Sequence, residues 1–290
     1  MNEKIAIVTG AAGIIGPGIC ESLAQAGWKV AAHALDDRDW IVHEKISGSP
    51  FPASLKVEGD LSSRDACHRV AAVVQETLGP ISLVVNNAAF NPAPPPALEG
   101  LTEEYAQLML GVNLLAPLFL VQACLADLKN AQGASIINIG SIQSETPIAG
   151  QILYPVAKAG LETLTRILAR DLAEFKVRSN LIRVGSVPGP AFMWSALRDL
   201  PDEKARQLYQ EMLPIHLQKM ARMNPTGEVA KSEAVGQLVA FLASPAASQI
   251  NGASIPLDGG LSCAVQFPSS QGPAWNPLEE LEKWLKAHQS

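Results

Sequence analysis

The chain has 290 residues, of which 48% are hydrophobic, and its 22 basic and 28 acidic residues give a formal net charge of −6. This length supports a large core, and parallel α/β folds of this size often form one domain. The acidic balance argues against nucleic acid or an anionic membrane as the main partner, because phosphate binding needs concentrated positive charge. The four cysteines lie far apart without metal-ligand spacing, so we expect reduced packing residues and no metal site.

Short apolar runs alternate with helical stretches along the chain. This alternation predicts parallel βαβ units, and hence a doubly wound α/β fold with about seven parallel strands and helices on both faces. The predicted strands are Ile5–Val8, Val30–Ala34, Ser54–Val57, Leu83–Val85, Ser135–Ile139, Ser179–Val184 and Ala253–Leu257. The predicted helices cover residues 15–26, 64–78, 102–128, 153–174 and 231–243.

Two segments interrupt the alternation. We expect residues 1–262 to form one domain in which residues 186–227 are a substrate lid, because connections of this length in compact domains are usually functional. Residues 263–290 are predicted to be a C-terminal extension with a short amphipathic helix that Asn276 could cap. The shared apolar face of that helix indicates docking, either for stability or to close an active site.

Residues 108–128 are apolar enough to resemble a membrane span. They include Asn113, Pro117 and Gln122 and lack flanking basic clusters, and a helix that is apolar on all sides can equally lie inside a protein. The first strand also follows Met1 too closely for a signal peptide. We therefore expect a buried helix here and a soluble, cytoplasmic protein.

The sequence TGAAGIIG follows the first predicted strand and contains Gly10, Gly13 and Gly16. Glycines at such a turn let the backbone approach a pyrophosphate, whose charge then lies at the N-terminus of the next helix. The turn alone is a weak signal, because it could also serve a regulator without catalytic activity or be only a tight turn.

Further motifs follow the later predicted strands and helices. They are NNAA (86–89), Asn113 in the apolar helix, Ser141 in IINIGS, Tyr154 and Lys158 in YPVAK, and LDGG (257–260). In this order and spacing, residues 4–262 closely resemble the short-chain dehydrogenase/reductase family. The resemblance implies a Rossmann-type fold and hydride transfer between NAD or NADP and a secondary alcohol or ketone. It also implies a homo-oligomer, a dimer or tetramer, paired through the helices at 102–128 and 153–174.

The resemblance assigns a catalytic role to four residues. Tyr154 would exchange a proton with the substrate oxygen, and Ser141 would hydrogen-bond to the same oxygen. Lys158 would hold the nicotinamide ribose, and Asn113 would anchor a water chain. A free tyrosine has a pKa near 10, so we expect the Lys158 ammonium, four residues along the same helix face, and the positive nicotinamide ring to lower the pKa of Tyr154. Pro155 lacks an N–H, which predicts that the helix begins close to Tyr154.

The choice of nucleotide is set just after the second strand, where an acid binds the ribose diol and a base accommodates a 2′-phosphate. Asp36 and Asp37 would repel a phosphate, whereas His33 or Arg38 could attract one. Charge therefore favours NAD slightly over NADP. The predicted cofactor-binding residues are Gly10, Gly13, Ile15, Gly16, Asp36, Asp60, Leu61, Asn87, Ala88, Tyr154, Lys158, Gly185 and Val187.

Substrate identity is weakly encoded. By resemblance, Gln143, Glu145 and Gln151 flank the catalytic groups and Asn91 opens the proline-rich loop. These polar residues would suit a hydroxylated substrate such as a sugar or polyol, because unmatched polar groups reject apolar ligands. Apolar residues of the lid could instead line an apolar pocket or only pack the lid. The predicted substrate-binding residues are Asn91, Gln143, Glu145, Gln151 and Trp194.

The glycine spacing leaves other functions open. TGxxGxxG is typical of the extended branch of the family, whose epimerases and dehydratases retain NAD, whereas the compact branch usually has TGxxxGxG. The NNAA turn, the position of Asn113 and the C-terminal LDGG favour the compact branch, with an atypical glycine motif. A dinucleotide-sensing protein without catalytic activity is a third possibility, which the complete catalytic set disfavours. An enoyl reductase is disfavoured because that subgroup spaces its Tyr and Lys more widely.

Overall fold

The computed structural model describes residues 3–47, 51–92, 96–148, 150–187 and 202–263, together with Lys283 and Lys286. Seven parallel strands form one sheet in the order β3-β2-β1-β4-β5-β6-β7. The doubly wound fold is confirmed, and each predicted strand is present with its ends shifted by at most two residues. The strands are β1 (Ile5–Val8), β2 (Lys29–Ala34), β3 (Leu55–Glu58), β4 (Leu83–Asn86), β5 (Ser135–Ser141), β6 (Arg178–Val184) and β7 (Ser254–Leu257).

Helices connect the strands. They are α1 (Gly16–Gln25), α2 (Asp37–Ser47), α3 (Arg64–Leu78), α4 (Glu103–Leu110), α5 (Ala116–Ala123), α6 (Leu125–Asn130), α7 (Leu153–Asp171), α8 (Asp202–Ala221) and α9 (Ser232–Ala243). Sequence patterns did not predict α2, or α8 within the proposed lid. The single helix predicted at 102–128 is instead α4, a π-helical segment (Gly111–Leu115), α5 and α6.

The sheet is buried on both faces. In β1, Ala6 and Val8 pack with α1 and α9, whereas Ile5 and Ile7 pack with α3 and α5, as alternating side chains require. Helices α1 and α9 approach very closely because Gly18 lacks a side chain. A Cβ built there would lie 2.3 Å from the Ser232 carbonyl carbon.

The order of the strands fixes where a ligand binds. Strand β1 lies between β2 and β4, so the chain crosses from one half of the sheet to the other at this point. Open α/β sheets bind their ligands in the crevice at the carboxyl ends of such strands. The residues that follow β1, β4 and β5 therefore meet at one edge.

The apolar helix is only partly enclosed. Glu103–Ala123 is the described helix that is long and apolar enough, by composition, to cross a membrane, and 39% of its apolar window is buried. It packs against α3 and α7, while Leu108, Leu115 and Leu118 are exposed. The expectation that protein buries this helix on all sides is therefore wrong for the isolated chain.

Parts of the predicted lid and tail lie outside the described residues. In the lid these are residues 188–201, and the remainder includes α8, which contacts α2. In the tail, the described residues are Cys263, Lys283 and Lys286, of which the two lysines are helical. The predicted docking of the tail therefore stays a prediction.

Candidate active site

The glycine turn joins β1 to α1 in a space that leaves no room for side chains at its two ends. Gly10 has a φ of +58°, and a Cβ there would lie 2.7 Å from the Ala88 Cα. A Cβ on Gly16 would lie 2.1 Å from the Ala11 carbonyl oxygen. Between them, the Gly13 N–H donates to the Gly10 carbonyl over 3.1 Å.

The helix that follows the turn begins at Gly16, directly after the half-buried Ile15, and no described side chain caps it. Pro17, its second residue, has no N–H, so the N–H groups of Gly16 and Gly18 are the donors of the first turn, and they carry the positive end of the helix dipole. A compact glycine turn with such a helix start fits the pyrophosphate of a dinucleotide.

The turn after β4 is tied directly to the glycine turn. The Asn87 side-chain Nδ2 donates to the carbonyl oxygens of Thr9 and Gly10, each over 2.9 Å. The Thr9 hydroxyl oxygen accepts from the backbone N–H groups of Asn87 and Ala88 at 2.9 and 3.0 Å. Asn87 and Ala88 therefore shape the predicted cofactor site by fixing its backbone.

The residues predicted to contact adenosine follow β2 and β3. The Asp36 carboxylate accepts from the backbone N–H and side-chain Nε of Arg38, both at 3.0 Å, and the two side chains form an ion pair. Asp60 accepts from the Ser62 N–H over 2.9 Å and lines an open pocket. Leu61 is buried in the core on the α3 side, so its side chain supports the loop.

The segment after β6 would border the nicotinamide. The Gly185 N–H donates to the Leu257 carbonyl over 3.0 Å, and a Cβ on Gly185 would lie 2.7 Å from the Asp258 Cβ. Val187 is partly buried against the core. The close contact at Gly185 leaves no room for a side chain between this segment and the turn after β7.

Ser141, Tyr154 and Lys158 come together where β5 ends and α7 begins. The Gln143 N–H donates to the Ser141 Oγ over 3.2 Å, and the Ser141 hydroxyl lies close enough to the Tyr154 phenol to affect its pKa. The Lys158 Nζ lies 5.6 Å from the centre of the Tyr154 ring. Helix α7 begins at Leu153, which confirms the start inferred from Pro155.

The pKa values of the catalytic pair follow mainly from burial. Burial raises the pKa of Tyr154 to about 12, and the hydrogen bond from Ser141 opposes this rise. Burial lowers the pKa of Lys158 to about 8, and its Nζ donates to the Ile139 carbonyl over 2.9 Å. Burial therefore outweighs any lowering of the Tyr154 pKa by Lys158 in this structure, and the combined effect of Lys158 and the nicotinamide ring stays a prediction.

Asn113 lies in the π-helical segment, a kind of distortion that is frequent at functional sites. It is fully buried, and its Nδ2 donates to the carbonyl oxygens of Phe90 and Met109 at 2.8 and 2.9 Å. Its Oδ1 is buried without a partner in the part of the chain described. Such an oxygen fits the predicted water anchor, since buried water satisfies groups of this kind.

A small pocket adjoins Tyr154. The side-chain Oε1 atoms of Gln143 and Gln151 are buried and accept no hydrogen bond from any described residue. Glu145 instead forms an ion pair with Arg183, and Trp194 lies outside the described residues. The pocket is lined by Asn91, Pro96, Leu101, Tyr105, Gln151, Ile152, Leu153 and Tyr154.

Sequence reasoning misjudged or missed several neighbours of this site. His33 was considered as a phosphate contact, but its ring is buried and both nitrogens are bonded to backbone groups. The roles of Thr9 and Arg183 were missed. The sequence contained a signal for each: a hydroxyl before the glycine turn, and a charge inside the apolar strand NLIRV.

Comparisons with known proteins agree with this geometry. A family model described as "Enoyl-(Acyl carrier protein) reductase" matches residues 10–262. Nodulation protein G of Azospirillum brasilense is 29% identical over 275 residues, covering 90% of this chain and 99% of that protein. Acetoacetyl-CoA reductase of Rhizobium meliloti is 31% identical over 259 residues, covering 89% and 98%.

Solved structures extend the similarity. Ligand-free aldohexose dehydrogenase of Thermoplasma acidophilum has a TM-score of 0.74 at 25% identity, covering 94% of this chain and 98% of that one. A blue fluorescent protein from a metagenomic library, in complex with NADPH, has a TM-score of 0.71 at 26% identity, covering 90% and 98%. The family match, the parallel sheet and the motifs at its carboxyl edge together show that the chain belongs to the short-chain dehydrogenase/reductase family.

Proposed function

We propose that this protein is an NAD(P)-dependent oxidoreductase that interconverts a secondary alcohol and a ketone in a small, polar, hydroxylated substrate such as a sugar or polyol. The observation that carries this proposal is the grouping of Ser141, Tyr154 and Lys158 beside a pocket that Tyr154 lines. When bound, the nicotinamide supplies or accepts the hydride.

Tyr154, Ser141 and Lys158 have different roles in proton transfer. With a pKa of about 12, the Tyr154 phenol keeps its proton at neutral pH and can donate it to a carbonyl oxygen. On substrate binding, the Ser141 hydroxyl can turn its proton from Tyr154 to the same substrate oxygen and stabilise the developing charge there. The Lys158 ammonium then stabilises the phenolate that remains.

The polar substrate class rests on Gln151, which lines the pocket together with Tyr154. Its buried Oε1 atom can accept from a substrate hydroxyl group, whereas an apolar substrate would leave it unpaired at a cost of about 1–3 kcal/mol. Aldohexose dehydrogenase, one of the similar structures, acts by its name on substrates of this kind.

The choice between NAD and NADP follows from the acidic start of α2. Arg38, the basic residue that directly follows Asp36 and Asp37 in the sequence, is already paired with Asp36. Little positive charge is therefore available to bind a 2′-phosphate. This supports NAD, although the NADPH complex of a similar protein supports the alternative. Michaelis constants for NADH and NADPH decide between them, and a much lower value for NADPH would overturn the preference for NAD.

The test of the proposed function is a screen that follows the absorbance of reduced cofactor with sugars, polyols, keto acids, acetoacetyl-CoA and an enoyl thioester. We expect turnover with a hydroxylated substrate, and turnover with the enoyl thioester alone would reject the proposal. Tyr154→Phe should abolish turnover, because it removes the proton donor, while calorimetry still detects cofactor binding. Substantial remaining activity would remove Tyr154 from this role.

The proposal includes a homo-oligomer in the cytoplasm. Exposed Leu108, Leu115 and Leu118 on the α4–α5 segment support pairing through that face, and the exposed Val156 and Ile167 on α7 extend it. The free cysteines Cys20, Cys67, Cys124 and Cys263 are compatible with a reducing compartment. Light scattering that detects only monomer would reject the oligomer.

A further inference from the structure

His33 lies in β2 between the two turns that would hold the adenosine half of the dinucleotide. Its side chain is only 3% exposed. The Gly10 N–H donates to the His33 Nδ1 over 3.3 Å, and the His33 Nε2 lies 2.8 Å from the Gly59 carbonyl oxygen. One imidazole therefore joins the glycine turn after β1 to the turn after β3.

The backbone around His33 completes the same connection. The Ala11 N–H donates to the His33 carbonyl over 2.7 Å, and the Gly59 N–H donates to the Ala34 carbonyl over 3.1 Å. The ring thus adds one further hydrogen bond to each of two turns that β2 already holds. A substitution of His33 can remove the two hydrogen bonds of the ring, and protonation of the ring can change them.

The two partners of the ring determine its protonation state. Gly59 offers a carbonyl oxygen, so the Nε2 must carry a hydrogen, whereas Gly10 offers an N–H, so the Nδ1 must be a bare acceptor. Only the neutral imidazole with its hydrogen on Nε2 satisfies both. A second proton would place the Nδ1–H against the Gly10 N–H, breaking the hydrogen bond and turning two donors towards each other.

The surroundings of the ring contain groups that raise the pKa of His33 and groups that lower it. Burial lowers the pKa of His33 and outweighs the hydrogen bond to Gly59, which acts to raise it. Asp39 of α2 and Asp60 after β3 are the charged groups whose field reaches the ring from the neighbouring elements described, and both act to raise the pKa. The result is a histidine that is neutral at pH 7 and charges only below its ordinary pKa of about 6.5.

We propose that His33 is a positioning residue of the cofactor site, whose neutral imidazole holds the glycine turn in its binding conformation and whose protonation releases that turn and weakens dinucleotide binding. Gly10 needs this help because its left-handed φ of +58° is one of several conformations open to glycine. The inference rests on the proposed cofactor but not on the proposed substrate or reaction.

The experiment measures dissociation constants for NADH and NADPH by calorimetry between pH 8 and pH 5, without substrate. In the wild-type protein the constant should rise as the pH falls below the pKa of His33, by up to about tenfold per pH unit. NADH is the cleaner probe, because the 2′-phosphate of NADPH itself titrates near pH 6.

Two variants separate the hydrogen bonds of the ring. In His33→Asn the side-chain oxygen can replace Nδ1 as the acceptor from Gly10, and in His33→Gln the amide NH₂ can replace Nε2 as the donor to Gly59. Neither side chain titrates, so both variants should lose the acid-dependent weakening. His33→Asn should bind more tightly than His33→Gln at pH 8, because it keeps the bond to the glycine turn.

His43→Asn is the matched control, because burial also lowers the pKa of His43 while its ring packs on Phe51 instead. This variant should keep the wild-type pH profile. An acid limb that persists in both His33 variants, or a wild-type profile that stays level to pH 5, would overturn the role of His33. Absence of dinucleotide binding at every pH would instead reject the cofactor site, and with it the proposed function.

A readout on the wild-type protein remains if the variants fold poorly. Nuclear magnetic resonance of histidine-labelled protein, which contains five histidines, should show one ring fixed in the Nε2–H tautomer that charges only below pH 6.5. Addition of NADH should shift the titration of that ring to still lower pH, because binding favours the neutral form. A ring that is charged at pH 7, or a titration unmoved by NADH, would reject the proposal.

Discussion

Lys158 should set the alkaline limit of catalysis. Its pKa is lowered to about 8 by burial, so the ammonium is about 90% charged at pH 7 and about 10% charged at pH 9. The charge that stabilises the Tyr154 phenolate is thus present below pH 8 and lost above it. We expect the rate of ketone reduction to fall about tenfold between pH 7 and pH 9. Tyr154, with a pKa of about 12, should not contribute to the change in rate between pH 7 and pH 9.

Replacement of Lys158 by arginine tests whether Lys158, and not Tyr154, causes the alkaline fall in rate, because a guanidinium stays charged at every pH of the experiment. The assay is single-turnover reduction at saturating cofactor and substrate, which follows chemistry apart from product release. Lys158→Arg should react more slowly at pH 7, since the longer, planar group fits the site poorly, but its rate should be level to pH 10. Lys4→Arg, at an exposed residue before β1, is the matched control. An alkaline limb unchanged in Lys158→Arg would refute this reasoning.

Two further predictions concern stability and use urea unfolding at fixed protein concentration. Gly18→Ala should lower the free energy of unfolding by about 1–3 kcal/mol, because its Cβ would lie 2.3 Å from the α9 backbone; Gly100→Ala, at a site with open space, should change it by less than about 0.5 kcal/mol. Asn138→Leu should cost about 1–3 kcal/mol, because it removes buried hydrogen bonds to Asn86 and Thr165. Unaltered stability in either variant would contradict the packing or the hydrogen bonding on which it rests.

The strands were predictable because their apolar runs are bounded by turn residues, and a strand buried on both faces needs little else. Helix α2 was missed because its sequence, DRDWIVHEKIS, is rich in charge. Tertiary contact helps to hold it, since Trp40 packs against Phe51 with ring centres 5.0 Å apart. Helix α8 was missed in a segment that contains Pro214, where buried Leu208 and Met212 anchor it. Neither the Trp40–Phe51 contact nor the burial of Leu208 and Met212 can be predicted from the local sequence.

The candidate site likewise has features that the sequence predicted and features that it did not. Motif spacing named Ser141, Tyr154 and Lys158, because residues at strand ends and helix starts converge in any fold of this topology. The direction of the Tyr154 pKa shift was not accessible, because it depends on burial that only the packed chain defines. The same holds for His33, whose ring bonds two turns that lie 23 and 26 residues away along the chain.

The glycine turn also explains why its unusual spacing carries little weight against the compact branch. The patterns TGxxxGxG and TGxxGxxG share their first and last glycines, which here are Gly10 and Gly16. These are the positions where a Cβ would approach backbone atoms to 2.7 and 2.1 Å, so any sequence that forms this turn must keep them. A Cβ on Gly13 would meet its nearest neighbour, the Gly10 carbonyl oxygen, at 3.2 Å, which a small shift relieves. The glycine that distinguishes the two branches is thus the one with the weakest steric requirement, and the residues at the other strand ends are the better guide to the reaction.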